Sequence, residues 1–539
     1  MKTIYNPSDI GQILRATIGT LDELDSLDES DRSLLLERRK AFVDNVGSLV
    51  ADKVLEVRGE TNTRVVVFAG YGLCGAFALS AATELHSRGC HAQVVLFNIG
   101  GNCLTADCST ARNTFIELCG TDYLSEVINP GVDFAMPQLK RKTIVVDGIF
   151  GSEDLKPLRG GYQAVARYIN EHDPQVISID LPSGMTTHLN VGMVNRNIVH
   201  AKHTLALIGP TLSFFMPENA ELLGKLSILP VPFNRDAAGT LHRSTLLIDE
   251  AAVRNVLPKR LSTASKADLG DALIFAGSYG MLGAAVLATR AATHSGCGRV
   301  TCHGPRCAFF VMQSSVPSAM FTTDGADVDI QEFDNPRNCQ GVAIGPGIGT
   351  SKSTAAALGT YLKSCYASRR PLVLDADALN IIALNPSFID YLPPHSVLTP
   401  HAGEFDRLFG EQSSHGTRTL TAIEMATRYK VTIVLKGPYT QTIWSDGTVI
   451  VNTSGTEALA TAGSGDVLTG LIAGLIAQKM APEVAAVAGV YVHGLAGQIA
   501  SHSCGIAGTT AEDIADAIGP AIDTILNRRR PGPTLQQGI

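Results

Sequence analysis

The chain has 539 residues, 45% of them apolar and 17% charged, with 52 glycines and 25 prolines, a length beyond one hydrophobic core and a composition that excludes a disordered or fibrous protein. Its 43 basic and 51 acidic residues leave a net charge of −8 without a concentrated basic face, which excludes a nucleic-acid partner from the expectations. The 11 cysteines include no C-x-x-C pair, so scattered reduced thiols are expected rather than a disulfide framework or a zinc site. The first 25 residues lack the apolar core of a secretory signal, and the uncharged stretch 484–511 is rich in Ala, Gly, His and Ser, as in buried helices rather than a membrane span. A soluble, cytoplasmic protein with no membrane partner is expected.

In chain order, the acidic run LDELDSLDESDRSLLLERRK reads as helix. The β-branched runs TRVVVFAG, HAQVVLF, KTIVVDG, QVISID and KHTLALIG then read as buried parallel strands, each closed by a Gly turn or a polar residue. Around SILPVPFNRDAAGTLHRS the pattern breaks into Pro and polar residues, which places a boundary near residues 232–242 and divides the chain into 1–236 and 237–539. Strands resume with DALIFAGS, RVTCHG, GVAIGPG, PLVLDAD, SVLTPH and VTIVLKG, and TQTIWSDGTVIVN reads as a hairpin turning at Asp446-Gly447. The expected fold class is α/β, two doubly wound units in which ligands bind beyond the carboxyl ends of the strands.

Near the carboxyl end, ATAGSGDVLTGLIAGLIAQ sets Gly463, Ser464, Gly465 and Asp466 before an apolar run at helical spacing. Asp466 suits a helix N-cap. The small residues before it equally offer bare N–H groups to an anion, where a carboxylate serves only if the reaction uses it, as a base.

The strand ends AGSYGMLGAA, GPGIG, DADALN, TPHAGE, LKGPYT and AGSGD together suggest one cleft over a nucleotide. With NTSGTEALATAGSGDVLTGLIAGLIAQ, this set resembles the ADP/ATP-dependent NAD(P)H-hydrate dehydratases of the ribokinase-like superfamily, over roughly residues 245–525. One departure is SKADLG, where that family usually has His-Lys-Gly. The resemblance implies an adenine-nucleotide site at Lys436, Gly437, Pro438, Tyr439, Thr440 and Gly465. It implies that Ala284, Gly347, His401 and Asp466 face hydrated NADH or NADPH, with Asp466 as base, ADP or ATP as phosphoryl donor, and Mg²⁺ between the phosphates. Bland readings remain open: His401 as a hydrogen-bonded turn residue, Asp375 and Asp377 as helix caps, Lys436 as a local ion pair.

In the first half, Gly70-x-Gly72-x-x-Gly75 between strand and helix is a Rossmann-like fingerprint, but Asn98 stands where a dinucleotide site wants an acid. VVDGIFGSEDLKPLRG and ISIDLPSGM resemble the NAD(P)HX epimerase domain that bacteria often fuse to this dehydratase, over roughly residues 10–230. The resemblance implies potassium held by Asp147 and Ser183, and substrate phosphates at Gly151, Ser152, Glu153, Asp154, Leu155, Lys156 and Pro157. It also implies a catalytic or substrate-binding carboxylate at Asp180, and the strand pattern projects both aspartates at the sheet's carboxyl edge. The third motif of that family, G-x-G-N-N-G-G-D-G, is eroded: Cys74 replaces an Asn and Phe77 the Asp, and an apolar ring cannot ligate a hard cation. The expected function is repair of hydrated nicotinamide nucleotides by a homo-oligomer, with dehydration in the second half and little epimerisation in the first. A vitamin-precursor kinase of the same superfamily, with a non-catalytic binding or oligomerisation domain in front, is the alternative.

Overall fold

Five consecutive buried residues, Val65–Ala69 (β1), form an inner strand of the first sheet in the computed structural model, which describes residues 1–20, 27–129, 136–153, 157–185, 197–240 and 244–527. The chain divides into two units, Thr3–Arg243 and a second that takes Met1–Lys2 with the chain from Ser244 on.

In the first unit β1 is followed by Gln93–Phe97 (β2), Leu124–Val127 (β3), Ile144–Gly148 (β4), Gln175–Ile179 (β5), His203–Ala206 (β6) and Lys225–Ile228 (β7). All seven are parallel in the order β3-β2-β1-β4-β5-β6-β7. Helices Pro7–Ile18 (α1), Glu29–Arg58 (α2), Leu73–Ser87 (α3) and Ala106–Cys119 (α4) contribute to the cluster holding Val65, Val67 and Ala69. Gly161–His172 (α5) contributes to the cluster holding Val66 and Phe68. Burial on both faces is why these strands read as unbroken apolar runs rather than alternating ones. The strand order reverses between β1 and β4, so the crevice beyond their carboxyl ends is the switch point. The acidic run is helical from Glu29; its residues 21–26 lie outside the described ones.

The glycine fingerprint has a packing cause. A Cβ at Gly75, on the first turn of α3, would fall on the carbonyl oxygen of Gly70, and one at Gly70 on that of Ile149 beyond β4. Gly72 has open space around its Cβ position.

The second unit runs through Thr245–Leu247 (β8), Asp271–Phe275 (β9), Arg299–Gly304 (β10), Met320–Thr323 (β11), Gly341–Ile344 (β12), Val373–Leu374 (β13), Val397–Leu398 (β14) and Thr432–Leu435 (β15), then the hairpin Gln441–Ile443 (β16) and Val449–Val451 (β17). These ten strands lie in one sheet, β8-β17-β16-β15-β14-β13-β12-β9-β10-β11, parallel from β15 to β11. Its switch point lies between β9 and β12. The hairpin turns through Ser445, Asp446 and Gly447, closed by Trp444 and Thr448, with Gly447 in the left-handed region at φ 87°.

Leu282–His294 (α6), Ser464–Ala477 (α7), Pro482–Cys504 (α8) and Ala511–Asn527 (α9) build the core against this sheet. Helix α7 is buried along most of its length. Its glycines admit α6: a Cβ at Gly470 would meet the Ala288 carbonyl, and one at Gly474 the Ser295 hydroxyl. Helix α8 is long and apolar enough to cross a membrane by length and composition, with 67% of that window buried in the protein.

Two substitutions separate packing from phosphate binding in the fingerprint. In thermal or denaturant unfolding of the full chain, Gly75→Ala should cost about 2–4 kcal/mol by overpacking, and Gly72→Ala roughly 0.5 kcal/mol or less. Equal effects would remove the packing explanation.

Candidate functional site

Strand β15 delivers Lys436 at its carboxyl end, where the Lys436 N–H donates to the Pro400 carbonyl at 2.9 Å. The side chain turns inward. Its ammonium donates to Asp375 Oδ1 at 2.9 Å and lies 3.8 Å from Glu404 Oε2. The Thr469 hydroxyl of α7 donates to the other Asp375 oxygen at 2.6 Å. Asp375 occupies the N-cap position of helix Ala376–Leu384, yet its side chain makes no capping bond, because both oxygens serve Lys436 and Thr469. The next residue, Ala376, is held at φ 47°, a left-handed conformation costly for a residue with a Cβ.

The first turn of α7 lies directly over this pair, with the Cβ position of Gly465 3.2 Å from Lys436 Nζ. The helix begins at Ser464, two residues before the expected N-cap, so Asp466 is not the cap; Gly463, at φ 86°, is. Glycine there both adopts the left-handed conformation and leaves room for Leu287. No side chain caps the helix, and the N–H groups of Gly465 and Asp466 have no protein partner among the described residues. A bare helix start beside a lysine offers N–H groups and positive charge to an anion.

Asp466 has its carboxyl pushed up to about 7, by burial first and then by the charges of Asp375, Asp377 and Glu404, with Lys436 opposing. Burial works against the Lys436 ammonium, but Asp375 and Glu404 outweigh it and its pKa is raised. Beneath the turn, buried His493 of α8 lies with Nε2 3.1 Å from the Ser464 hydroxyl, and burial brings its pKa down to about 4, so the ring is neutral.

The other expected residues of this half ring the same strand ends. His401 caps helix Ala402–Phe409 through Nδ1, accepting from the N–H groups of Gly403 and Glu404 at 3.0 and 3.3 Å, while Glu404 accepts from the His401 N–H. The turn reading therefore holds, and the ring is still half-exposed, with Nε2 3.3 Å from Glu404. Ala284 and Gly347 meet at the switch point, where Gly347 stands at φ 63° against Met281 and Ala284. The Ser278 hydroxyl donates to the Gly347 carbonyl at 2.8 Å, and the Gly349 N–H to Asp377 at 2.9 Å. Gly437, Pro438 and Tyr439 form an exposed loop closed by the Thr440 hydroxyl donating to the Gly437 carbonyl at 3.0 Å. Sequence reasoning passed over Glu404, Thr469 and His493 and left Asp375 a cap. A lysine ending an apolar strand needs an acidic partner, and that was the signal for Asp375 and Glu404.

In the first unit Asp147 stands at the carboxyl end of β4, with its side chain turned inward rather than free at the edge. It is wholly buried and accepts from the Ser183 hydroxyl and N–H at 2.6 and 2.9 Å, the Ser178 hydroxyl at 2.8 Å and the Ile149 N–H at 3.4 Å. Burial raises its pKa against these donors. Ser183 is likewise occupied, with the Phe150 N–H donating to its hydroxyl at 3.0 Å. With Asp147 and Ser183 satisfied internally and Cys74 and Phe77 in the glycine loop, these residues do not fit potassium. No group of three His, Cys, Asp or Glu that could hold a metal occurs among the described residues.

Asp180 does reach the switch point. It is buried at φ 67°, Oδ2 accepts from the Ser152 N–H at 2.7 Å, and burial raises its pKa. Asp180 Oδ1 and the Ser152 hydroxyl have no hydrogen-bond partner among the described residues. They face a cavity of about 20 Å³ bordered by Leu14, Cys74, Phe77 and Gly151, room for a water molecule rather than a ring. Glu153 borders the same cavity with its carboxyl raised by burial, and Pro157 is exposed. Asp154, Leu155 and Lys156 lie outside the described residues.

Residues 272–520 match the NAD(P)H-hydrate dehydratase family, and residues 39–213 the family of YjeF-related protein N-termini. A curated protein of Moorella thermoacetica, the bifunctional NAD(P)H-hydrate repair enzyme Nnr, is 30% identical over 94% of this chain and 95% of its own. The Nnr protein of Thermofilum pendens is 30% identical over 94% and 96%. Among solved structures, an ADP/ATP-dependent NAD(P)H-hydrate dehydratase from Bacillus subtilis, co-crystallised with ATP and Mg²⁺, superposes with a TM-score of 0.45 at 30% identity, over 52% of this chain and 98% of that one. With identity sustained from end to end over both halves, the chain belongs to the bifunctional NAD(P)H-hydrate repair enzyme family.

Proposed function

We propose that the second unit dehydrates the hydrates of NADH and NADPH (NAD(P)HX) with ADP or ATP as phosphoryl donor, and that the first unit, an epimerase-type domain, retains little epimerase activity. The carrying observation is Asp466, raised to about 7 on the bare first turn of α7 above the Lys436–Asp375 pair. A carboxylate at that pKa is a competent base near neutrality. It takes the proton of the ring hydroxyl as the oxygen attacks the terminal phosphoryl group, whose bridging P–O bond breaks to release AMP from ADP or ADP from ATP. The N–H groups of Gly465 and Asp466 and the Lys436 ammonium receive the negative charge of the transferring group. The exposed loop Gly437–Thr440 holds the nucleotide. Phosphate is a better leaving group than hydroxide, so elimination with loss of a proton from the adjacent ring carbon restores the dihydronicotinamide.

Among the described residues no three acids converge as a metal site, so Mg²⁺ would be held on the nucleotide phosphates, with the hard oxygen donors of Asp377 and Asp466 near them. When bound, the ion neutralises phosphate charge. All 11 cysteines are free, which suits the cytoplasm.

Asp466→Asn should keep the first turn of α7 and ADP binding while lowering the rate of NADHX dehydration by about 10²–10⁴. Because the base must be ionised and its pKa is raised, wild-type kcat/KM should climb as pH rises through about 7, and the variant should lose that limb. A variant within a few-fold of wild type would remove Asp466 from the role.

In the first unit, Asp180 keeps a free oxygen at the switch point among the described residues, but Asp147 and Ser183 bond each other and Cys74 and Phe77 stand in the eroded loop. Chromatography of R- and S-NADHX with the full chain, without ADP, should show slow epimerisation, little faster than in buffer and unchanged by potassium. Rapid, potassium-stimulated exchange would show that other residues complete an ion site.

A further inference from the structure

The turn after β9 carries an apolar rim that the phosphoryl-transfer chemistry does not use. Tyr279 is 75% exposed and Met281 54%, and Val328 beside them is 52% exposed. They are held rather than loose. The Tyr279 N–H donates to the Val328 carbonyl at 2.8 Å, the Met281 N–H closes the turn on the Ser278 carbonyl at 2.8 Å, and Gly280 sits at φ 88°. Through Ser278 and Met281 this turn rests on Gly347, at the switch point between β9 and β12.

The sheet order sets the distance from this rim to the chemistry. Lys436 ends β15 and Tyr279 follows β9, with β14, β13 and β12 between, four strand spacings or about 19 Å. Phosphoryl donor and reacting hydroxyl belong at the Lys436 end, where Asp466 and the first turn of α7 lie. Whatever part of the substrate reaches over β9 is therefore its unreactive end. In a dinucleotide that end is adenosine. The hydrated pyridine ring has lost its planarity, whereas a purine keeps two flat faces suited to a tyrosine ring flanked by Met and Val.

We infer that Tyr279, with Met281 and Val328, is the platform for the adenine of the hydrated dinucleotide, a specificity-determining contact that rests on the dehydratase reading. The contact is made in ground state and transition state alike, so it acts on KM rather than kcat.

The test uses the full chain at saturating ADP with two substrates: hydrated NADH, and hydrated reduced nicotinamide mononucleotide, which lacks the adenosine half. Tyr279→Ala should raise KM for hydrated NADH about 5- to 50-fold, the range expected for one lost base–aromatic stack, with kcat within about two-fold. Tyr279→Phe should stay near wild type, and KM for the mononucleotide should be the same in all three proteins. An unchanged KM for the dinucleotide would overturn the inference. So would an equal loss on both substrates, or a change in the native mass of Tyr279→Ala, which would make the rim a subunit contact. A wild-type chain that dehydrates neither substrate would sink the dehydratase reading itself, and that failure needs no substitution to be seen.

Discussion

The second unit is organised around one buried ion pair, Lys436 with Asp375. A lysine below the surface of a sheet is tolerated only with its charge matched, and Asp375 matches it from the next strand end but one, across β14, while Thr469 holds the second carboxylate oxygen. This ties β13, β15 and α7 together at one point. The ammonium lies under Gly465, so the charge that stabilises the pair also faces the bare start of α7. Asp466 then finds itself beside two further acids with only one cation nearby, which is why its proton is held to about 7. Structure and reactivity share a cause here: removing either member of the pair would leave an uncompensated charge and change the base at the same time.

The two units solve the same topological problem with different contents. Each has a parallel sheet whose order reverses once, and each places its glycine-rich turns at that reversal. In the second unit the turns stand beside the charges of Lys436, Asp375, Glu404 and Asp466. In the first, the Gly70–Gly75 turn closes against Ile149, and Phe77 packs on Phe42 with ring centroids 6.0 Å apart. Asp147 and Ser183 satisfy each other instead of a cation. What remains is one strained carboxylate, Asp180, and space for a water.

The central strands were legible because burial on both faces leaves unbroken runs of Val, Ile and Leu. The edge strands β3, β7 and β11 were not: LSEV, KLSI and MFTT are partly solvated, and half-wet strands lose the apolar signature. The glycine-rich strand ends announced the cleft, since backbone approach leaves its mark in residue type. The acids that tune it were harder to see. Glu404 reads as a helix-cap partner and is one, and only the third dimension brings it to Lys436. The start of α7 was misread by three residues because an aspartate at a helix start signals a cap, while Gly463 takes that place through a conformation that sequence does not display.

The glycines of α7 set propensity against packing. On an isolated helix, replacing glycine by alanine is favourable by about 1 kcal/mol, and routine stabilisation of a protein would begin there. At Gly470 the added methyl would press on the backbone of α6 at Ala288, where no rotamer change can relieve it. The helix that needs most help from propensity is thus the one that cannot accept it. Thermal adaptation of this unit has to be sought on solvated faces such as those of α9. The contact between α6 and α7 behaves as a fixed spacer that sets the depth at which the first turn of α7 stands above the sheet.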